Sequence, residues 1–387
     1  MALRSARPTD CLLKPSNWEV EIDPGSSALQ TTMQTTFEND ESELILHRFL
    51  TTGSLSSIDR QTLTIQLLSH SWQLQGLGIT PQTVDSILNQ RLDQLQLLFA
   101  PLQTFCQEKL GWPICPIDLL WHLWLPLAAQ IAQWRSLLDR PLIQGILGIQ
   151  GTGKTTLTLL LAEILPIFGY QVCHFSIDDL YKTYVDRQQL QQQDPQFCWR
   201  GPPGTHDLSL GMQVLQQLRQ ANFPVAIPQF DKSLHQGSGD RIQSIEVSKA
   251  DIVLFEGWFV GVHPIDPQVF DAAPLPITPA DRPFAEKINR LLQDYLPLWD
   301  QLDRLIVLHP ADYRLSQQWR QQAEQQMIAQ GRSGMSAAAV REFVAYFWKA
   351  LHPELFIPPL LQSPTVDLVI EIDADHRPSA VTVPAHP

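Results

Sequence analysis

Apolar residues recur at two different spacings along this chain, and the spacing changes near Arg140-Pro141. Before that point, from Glu41 to about Asp139, they return every three or four positions, the period that lines one face of a helix. Segments 43–50, 81–110 and 116–138 carry this period and predict an all-helical N-terminal domain over 41–140. After Pro141, short apolar runs alternate with amphipathic stretches. Strands are expected at 143–149, 172–177, 252–255, 304–308 and 366–372, and helices at 155–168, 208–219, 284–302, 313–330 and 337–351. Strand–helix alternation implies an α/β domain over 141–387, with a parallel sheet covered by helices on both faces. Residues 1–40 are polar, rich in Ser, Thr and Pro and without period, which predicts a loosely ordered tail. There is no internal repeat. The glutamine-rich stretch 188–193 reads as a solvated helix face or loop.

Composition narrows the classes. The 387 residues carry 27 basic and 40 acidic side chains, a formal charge of −13. An acidic surface argues against nucleic-acid or anionic-membrane partners, although a phosphate site needs only a local positive field. The five cysteines (Cys11, Cys106, Cys115, Cys173, Cys198) are odd in number and form no C-x-x-C pair. They are expected as reduced thiols in a cytoplasmic protein. The first 30 residues lack an apolar secretory core and carry Glu19, Glu21 and Asp23, while Arg4 and Arg7 leave an organelle-import peptide open. The most apolar stretch, 117–134, is interrupted by Asp118, His122, Pro126 and Gln130, so it reads as a buried or partner-facing helix rather than a membrane span. Its tryptophans, Trp121 and Trp124 with Trp134, are expected in a core or interface. No catalytic constellation and no identifiable partner follow from this region.

The chemistry begins at the first strand. Gly148-Ile149-Gln150-Gly151-Thr152-Gly153-Lys154-Thr155 fits G-x-x-x-x-G-K-[ST] between an expected strand and an expected helix. In that setting the loop residues Gly148, Gly151, Thr152, Gly153, Lys154, Thr155 and Thr156 bind nucleotide phosphates through backbone N–H groups and the helix N-terminus. Lys154 reaches the outer phosphates and the Thr155 hydroxyl holds a magnesium ion. The second strand ends in Asp178-Asp179, and a carboxylate there can accept the proton of an attacking hydroxyl. The strand 252–255 runs into Glu256-Gly257, the position that supports hydrated magnesium beside a phosphate loop. Two polar segments, 199–207 and 228–241, hold Arg200, Lys232, Arg241, His206, Asp207 and Asp240. They suit a clamp for a small anionic substrate, or else a hairpin of surface salt bridges. Arg314, Arg320 and Arg332 lie on or just after a polar helix, and Arg320 is the first candidate for a lid that excludes water.

Together these residues resemble the plant and cyanobacterial type of D-glycerate 3-kinase, within the phosphoribulokinase, uridine kinase and pantothenate kinase group. The likeness spans roughly 143–373. It rests on Gln150-Gly151-Thr152-Gly153-Lys154-Thr155-Thr156, Ser176-Ile177-Asp178-Asp179-Leu180-Tyr181, Arg200-Gly201 and Gly204-Thr205-His206-Asp207. It continues through Phe230-Asp231-Lys232-Ser233, Gly239-Asp240-Arg241, Leu254-Phe255-Glu256-Gly257-Trp258, Gln318-Trp319-Arg320 and Leu368-Val369-Ile370-Glu371-Ile372-Asp373. Pro202, Pro203, Thr205 and Ser238 depart from the family pattern; Ser238 replaces an arginine, a loss that either alters substrate affinity or moves the role to Arg241 or Lys232. The resemblance implies a P-loop kinase fold and ATP-dependent phosphorylation of the 3-hydroxyl of D-glycerate, with Mg2+, as in photorespiratory carbon recycling. It implies Lys154, Asp178, Glu256 and Arg320 in catalysis, Thr155 and Glu256 at the metal, and Asp179 as the alternative base. Asp178, Tyr181, Arg200, His206, Asp207, Lys232, Asp240 and Arg241 would form the substrate site, with Arg241 or Arg200 meeting the carboxylate of glycerate. Two other readings stay open: a kinase of the same group acting on another small alcohol, such as uridine, pantothenate or a sugar phosphate, and a regulatory NTPase whose helical domain binds a partner.

Overall fold

The computed structural model describes residues 40–69, 73, 76–329 and 334–384, so the expected N-terminal tail and Arg332 lie outside the described residues. The apolar runs form β1 (Leu142–Gly148), β2 (Val172–Ser176), β5 (Ile252–Gly257), β6 (Arg304–Pro310) and β7 (Leu368–Ile372). They assemble in the order β2-β5-β1-β6-β7, all parallel, with an antiparallel edge strand β8 (Pro378–Thr382) beside β7. β1 is buried at all seven positions. Alternate residues serve opposite faces, as strand geometry requires. Leu142 and Ile146 enter one apolar cluster with Leu254 and Ile306, while Ile143 and Leu147 enter a second with Val253, Phe255 and Val307.

Each face is roofed by helices. The N-terminal region supplies α1 (Asp40–Thr52), α2 (Ser57–Ser69), α3 (Val84–Phe105) and α4 (Leu125–Ser136). α3 and α4 pack against α5 (Lys154–Ile164), the helix that follows the glycine-rich loop. Leu95, Trp121, Ile131, Leu157, Leu161 and Ile146 belong to one continuous cluster. The change of spacing at Arg140-Pro141 is thus a change of secondary structure inside a shared core. Trp121 is fully buried and Trp124 nearly so, which accounts for the apolar stretch 117–134, and no described helix is long and apolar enough to cross a membrane. The opposite face is covered by α7 (Leu208–Arg219), α8 (Arg282–Leu291), α10 (Ala337–Ala350) and α11 (Pro353–Leu361).

Several elements escaped the periodicity. The polar segment 228–241 belongs to a hairpin, β3 (Val225–Asp231) with β4 (Asp240–Val247), that stands apart from the main sheet. Pro228 falls where the β3–β4 register shifts, and β4 is largely exposed, so neither strand shows clean alternation. The glutamine-rich stretch belongs to α6 (Tyr184–Gln193), which buries no residue completely and so has no apolar stripe to read. The expected helix 284–302 breaks into α8, a 3-10 turn Leu292–Tyr295 and a short turn Leu296–Trp299 that carries Pro297 near its start. The helix expected over 313–330 is α9 (Leu315–Ala329).

Candidate active site

The C-terminal ends of β1, β2 and β5 lie side by side, and the loops that leave them form the floor of a cleft of about 1110 Å³. Such strand ends are where ligands bind in open α/β sheets. The chain turns from β1 into α5 through Gly151 and Gly153, at φ +86° and +82°. A Cβ on Gly151 would lie 2.8 Å from Cβ of Trp319, so glycine also lets α9 pack on the loop. Thr152 is buried, and its hydroxyl donates to the Ile149 carbonyl at 2.9 Å, closing the turn from within. A Cβ on Gly148 would collide with that hydroxyl. Gly151, Lys154 and Thr155 line the cleft, whereas Gly148, Thr152, Gly153 and Thr156 build the loop behind it.

Glu256 lies near the end of β5, paired with Ile146 of β1 and Ser176 of β2. Its Oε1 accepts the Thr155 hydroxyl at 2.9 Å, and its buried Oε2 has no hydrogen-bond partner among the described residues. Burial raises its pKa, against the opposing charge of Lys154. A buried carboxylate oxygen without a partner, beside a threonine hydroxyl, is a hard-oxygen pair that fits a magnesium ion completed by water and phosphate oxygens. No transition-metal donor set is needed.

The two aspartates after β2 separate completely. Asp179 closes a capping box on Ser176, accepting its N–H at 2.9 Å, and its other oxygen accepts the Phe230 N–H at 3.2 Å. It ties the turn to β3. Asp178 instead meets Lys232 Nζ at 2.7 Å and accepts the Tyr181 hydroxyl at 2.7 Å. Burial works to raise its pKa, but Lys232, the Tyr181 hydrogen bond and Lys154 together hold the carboxyl well below the usual range. Asp178 is therefore ionised throughout the neutral range, and it faces the cleft opposite the phosphate loop.

The remaining sequence candidates divide between the cleft and its walls. Tyr181 stacks on His206 at 4.7 Å and meets Phe230 edge-on at 5.0 Å. Arg200 lines the cleft, donates to the Gly237 carbonyl at 2.7 Å, and lies over Phe230. His206, Asp207, Asp240 and Arg241 do not line it. Buried His206 bonds the Tyr295 hydroxyl at 2.8 Å, and burial lowers its pKa to about 3. Asp207 caps α7 through the Leu210 N–H and pairs with Arg241 at 3.0 Å. Arg241 also donates to the Tyr181 carbonyl at 2.7 Å, and Asp240 accepts the Tyr184 N–H at 2.8 Å. Asp207, Asp240 and Arg241 thus brace the hairpin and the acidic turn from behind the cleft lining. Thr205 uses its hydroxyl locally, bridging the Pro202 carbonyl and the Gly201 N–H.

Arg320 lines the cleft from α9 and pairs with buried Glu324 at 2.5 Å, while Arg314 is exposed, pairs with Asp312 and Glu354, and does not line this cleft. Arg187, on α6, was not singled out in the sequence. Its guanidinium donates to the carbonyls of Ser238 at 2.8 Å and Gly239 at 2.5 Å, and it lies 5.1 Å over Phe230. The only sequence signal was a lone cation on a glutamine-rich stretch. A second cavity, of about 320 Å³, adjoins the loop at Ile149 and is walled by Val307, Tyr313, Pro353 and Ile357.

Comparison with known proteins places this geometry in a family. No protein-family model matches the chain. It is 30% identical over 327 residues to chloroplastic D-glycerate 3-kinase of Arabidopsis thaliana, covering 78% of this chain and 69% of that protein. It is 34% identical over 223 residues to the uncharacterized kinase mug58 of Schizosaccharomyces pombe, over 54% of this chain and 79% of the relative. Among solved structures, D-glycerate 3-kinase from Cryptococcus neoformans var. grubii superposes with a TM-score of 0.60 at 29% identity, covering 66% of this chain and 99% of that one. The chain belongs to the D-glycerate 3-kinase family of P-loop kinases, and is an ATP-dependent phosphotransferase.

Proposed function

We propose that the protein transfers the γ-phosphoryl group of ATP to the 3-hydroxyl of D-glycerate, giving 3-phosphoglycerate. The observation that carries this reading is the position of Asp178. It is ionised, held by Lys232 and Tyr181, and shares one cleft with Lys154, Thr155 and Glu256. The backbone amides of the loop cradle the phosphates, and Lys154 offsets charge on the transferred group. Asp178 aligns the 3-hydroxyl and takes its proton as the new P–O bond forms. The bond to the β-phosphate oxygen breaks and its electron pair leaves on ADP. Thr155, and Glu256 through water, would hold magnesium, which supplies further positive charge when bound. Arg320, at the edge of the cleft, would leave Glu324 and close over the phosphates, while the 320 Å³ cavity takes the nucleobase.

In this reading residues 141–387 carry the chemistry and the helices of 41–140 back the phosphate loop. Neither nucleic acid nor a membrane is a partner. The location is cytoplasmic, although the plant relative's name places that protein in the chloroplast. In a photosynthetic cell the reaction would return photorespiratory carbon. The test is ADP release by full-length protein with ATP and magnesium across D-glycerate, L-glycerate, uridine, pantothenate and ribulose 5-phosphate. Release confined to D-glycerate is expected. Turnover of another alcohol with D-glycerate inert would overturn the acceptor and leave the kinase.

A further inference from the structure

Arg187 and Arg200 converge on one place from separate segments of the chain. They lie 5.1 and 5.5 Å over the ring of Phe230. Between them they donate to three consecutive carbonyls: Arg200 to Gly237, Arg187 to Ser238 and Gly239. Both line the cleft that holds Asp178. Among the described residues neither forms an ion pair with a carboxylate. Asp240 is near enough to Arg187 to be felt, but its oxygens accept from the Tyr184 and Arg241 N–H groups and meet His235. Burial, then the charge of Arg200, lowers the pKa of Arg187.

Two like charges held together on a partly desolvated wall cost free energy, which Asp240 opposes without forming an ion pair with either guanidinium. The carbonyls and the aromatic ring fix both forks before any ligand arrives, so little side-chain freedom is left to lose on binding. A guanidinium carries five N–H donors. Arg187 spends three and Arg200 one on main-chain carbonyls. The donors that remain suit a small planar anion. Arg241, the other guanidinium of this wall, is committed to Tyr181 and Asp207.

We propose that Arg187, paired with Arg200, forms the clamp for the acceptor's carboxylate, and that this pair selects a hydroxy acid over a neutral alcohol. The inference rests on the acceptor reading above and adds a specificity-determining residue to it. Arg187 orients the acid end of the substrate while Asp178 addresses the hydroxyl end.

Steady-state kinetics of full-length protein test it, with Arg187→Gln and Arg187→Lys compared to the parent on D-glycerate, glycerol and ribulose 5-phosphate. In the glutamine variant KM for D-glycerate is expected to rise about 10- to 100-fold, the loss of a charge-assisted hydrogen bond, with kcat changed far less. The KM for ATP and the kcat/KM for glycerol should stay as in the parent, and the lysine variant should recover part of the affinity. An unchanged KM for D-glycerate in the glutamine variant overturns the clamp while the acceptor reading stands. Equal losses on glycerol and D-glycerate also overturn it, because they assign Arg187 to bracing the 237–239 loop alone. If the parent prefers ribulose 5-phosphate, the acceptor reading falls. A loss confined to that substrate would then make the pair a phosphate site, against the carboxylate proposed.

Discussion

The two halves of the cleft are held in place by different forces. The phosphate half stands on strand ends inside an apolar core. β1 is buried throughout, Glu256 is fixed by register against β1 and β2, and α5 buries Leu157, Leu160, Leu161 and Ile164 toward α3 and α4. The half proposed for the acceptor, here the acceptor half, stands on hydrogen bonds between distant segments. Asp179 reaches the Phe230 N–H across 51 residues, Asp240 the Tyr184 N–H across 56, and Arg241 the Tyr181 carbonyl across 60. A core distributes its free energy over many contacts, whereas each of these bonds is a single point of support. The phosphate half should therefore fail only when its core is opened, and the acceptor half should respond to single side chains.

Opening the core gives the largest expected effect. Deleting residues 1–139 would strip α3 and α4 from α5 and from the sheet face that carries Leu142 and Ile146. An exposed apolar patch of that kind drives aggregation. The truncated chain should therefore be recovered as insoluble material, measured as soluble yield against the full-length protein. A soluble truncated protein that still binds ATP would show that the N-terminal helices are not what holds the phosphate loop.

Next come the adjacent aspartates, which belong to the two kinds of support. Asp178→Asn should lower kcat on the acceptor by about 10²- to 10⁴-fold, the usual worth of a positioned proton acceptor, with the melting temperature little changed. Asp179→Asn should do the reverse. It weakens the capping box and the tie to Phe230, costing about 1 kcal/mol of stability, with a much smaller loss of rate. If the rate loss falls on Asp179 instead, the assignment of the base is inverted.

This difference also explains what could be read in advance. The phosphate half is written in contiguous residues: a buried strand, then glycines and Lys154-Thr155, then an amphipathic helix. Strand ends and motif appear together in the one-dimensional chain, so Glu256 and the acidic turn were locatable from it. The acceptor half is assembled from α6, the 197–206 loop and the β3–β4 hairpin, and their mutual positions depend on long-range hydrogen bonds that leave no period. Special residues were visible there, but not which of them turn inward. Asp207, Asp240 and Arg241 read as substrate candidates and lie behind the cleft lining, since charged side chains that brace a wall have the same composition as those that line it. Arg187 carried no signal of its own, because α6 has no apolar stripe to show its inner side.

A smaller effect should come from the junction of the loop with α9. Gly151→Ala forces an L residue to φ +86° and brings its Cβ against Trp319. Strain of this kind costs about 1–3 kcal/mol. Because α9 carries Arg320, the cost should appear as a raised KM for ATP, with the KM for the acceptor nearly constant. An equal rise in both would mean that the two halves are less independent than their supports suggest.

The smallest effect sharpens the comparison through pH. His206 stands behind Tyr181 in the acceptor half, stacked on its ring and bonded to Tyr295. An unfolded histidine titrates near 6.5, while burial holds this one to about 3. Between those values the unfolded chain takes up a proton that the folded chain does not, so stability falls as pH falls from about 6.5 to about 3. At pH 5 the loss from this group is roughly 2 kcal/mol. His309 and His352 are also held low by burial, but both remain in a His206 variant, so the difference between proteins isolates one residue. His206→Gln should be less stable than the parent at pH 7, through loss of packing and of the Tyr295 bond. Its melting temperature should nevertheless fall less between pH 7 and pH 5. Parallel declines would mean that His206 is protonated in the folded protein, and that the wall behind Tyr181 admits water.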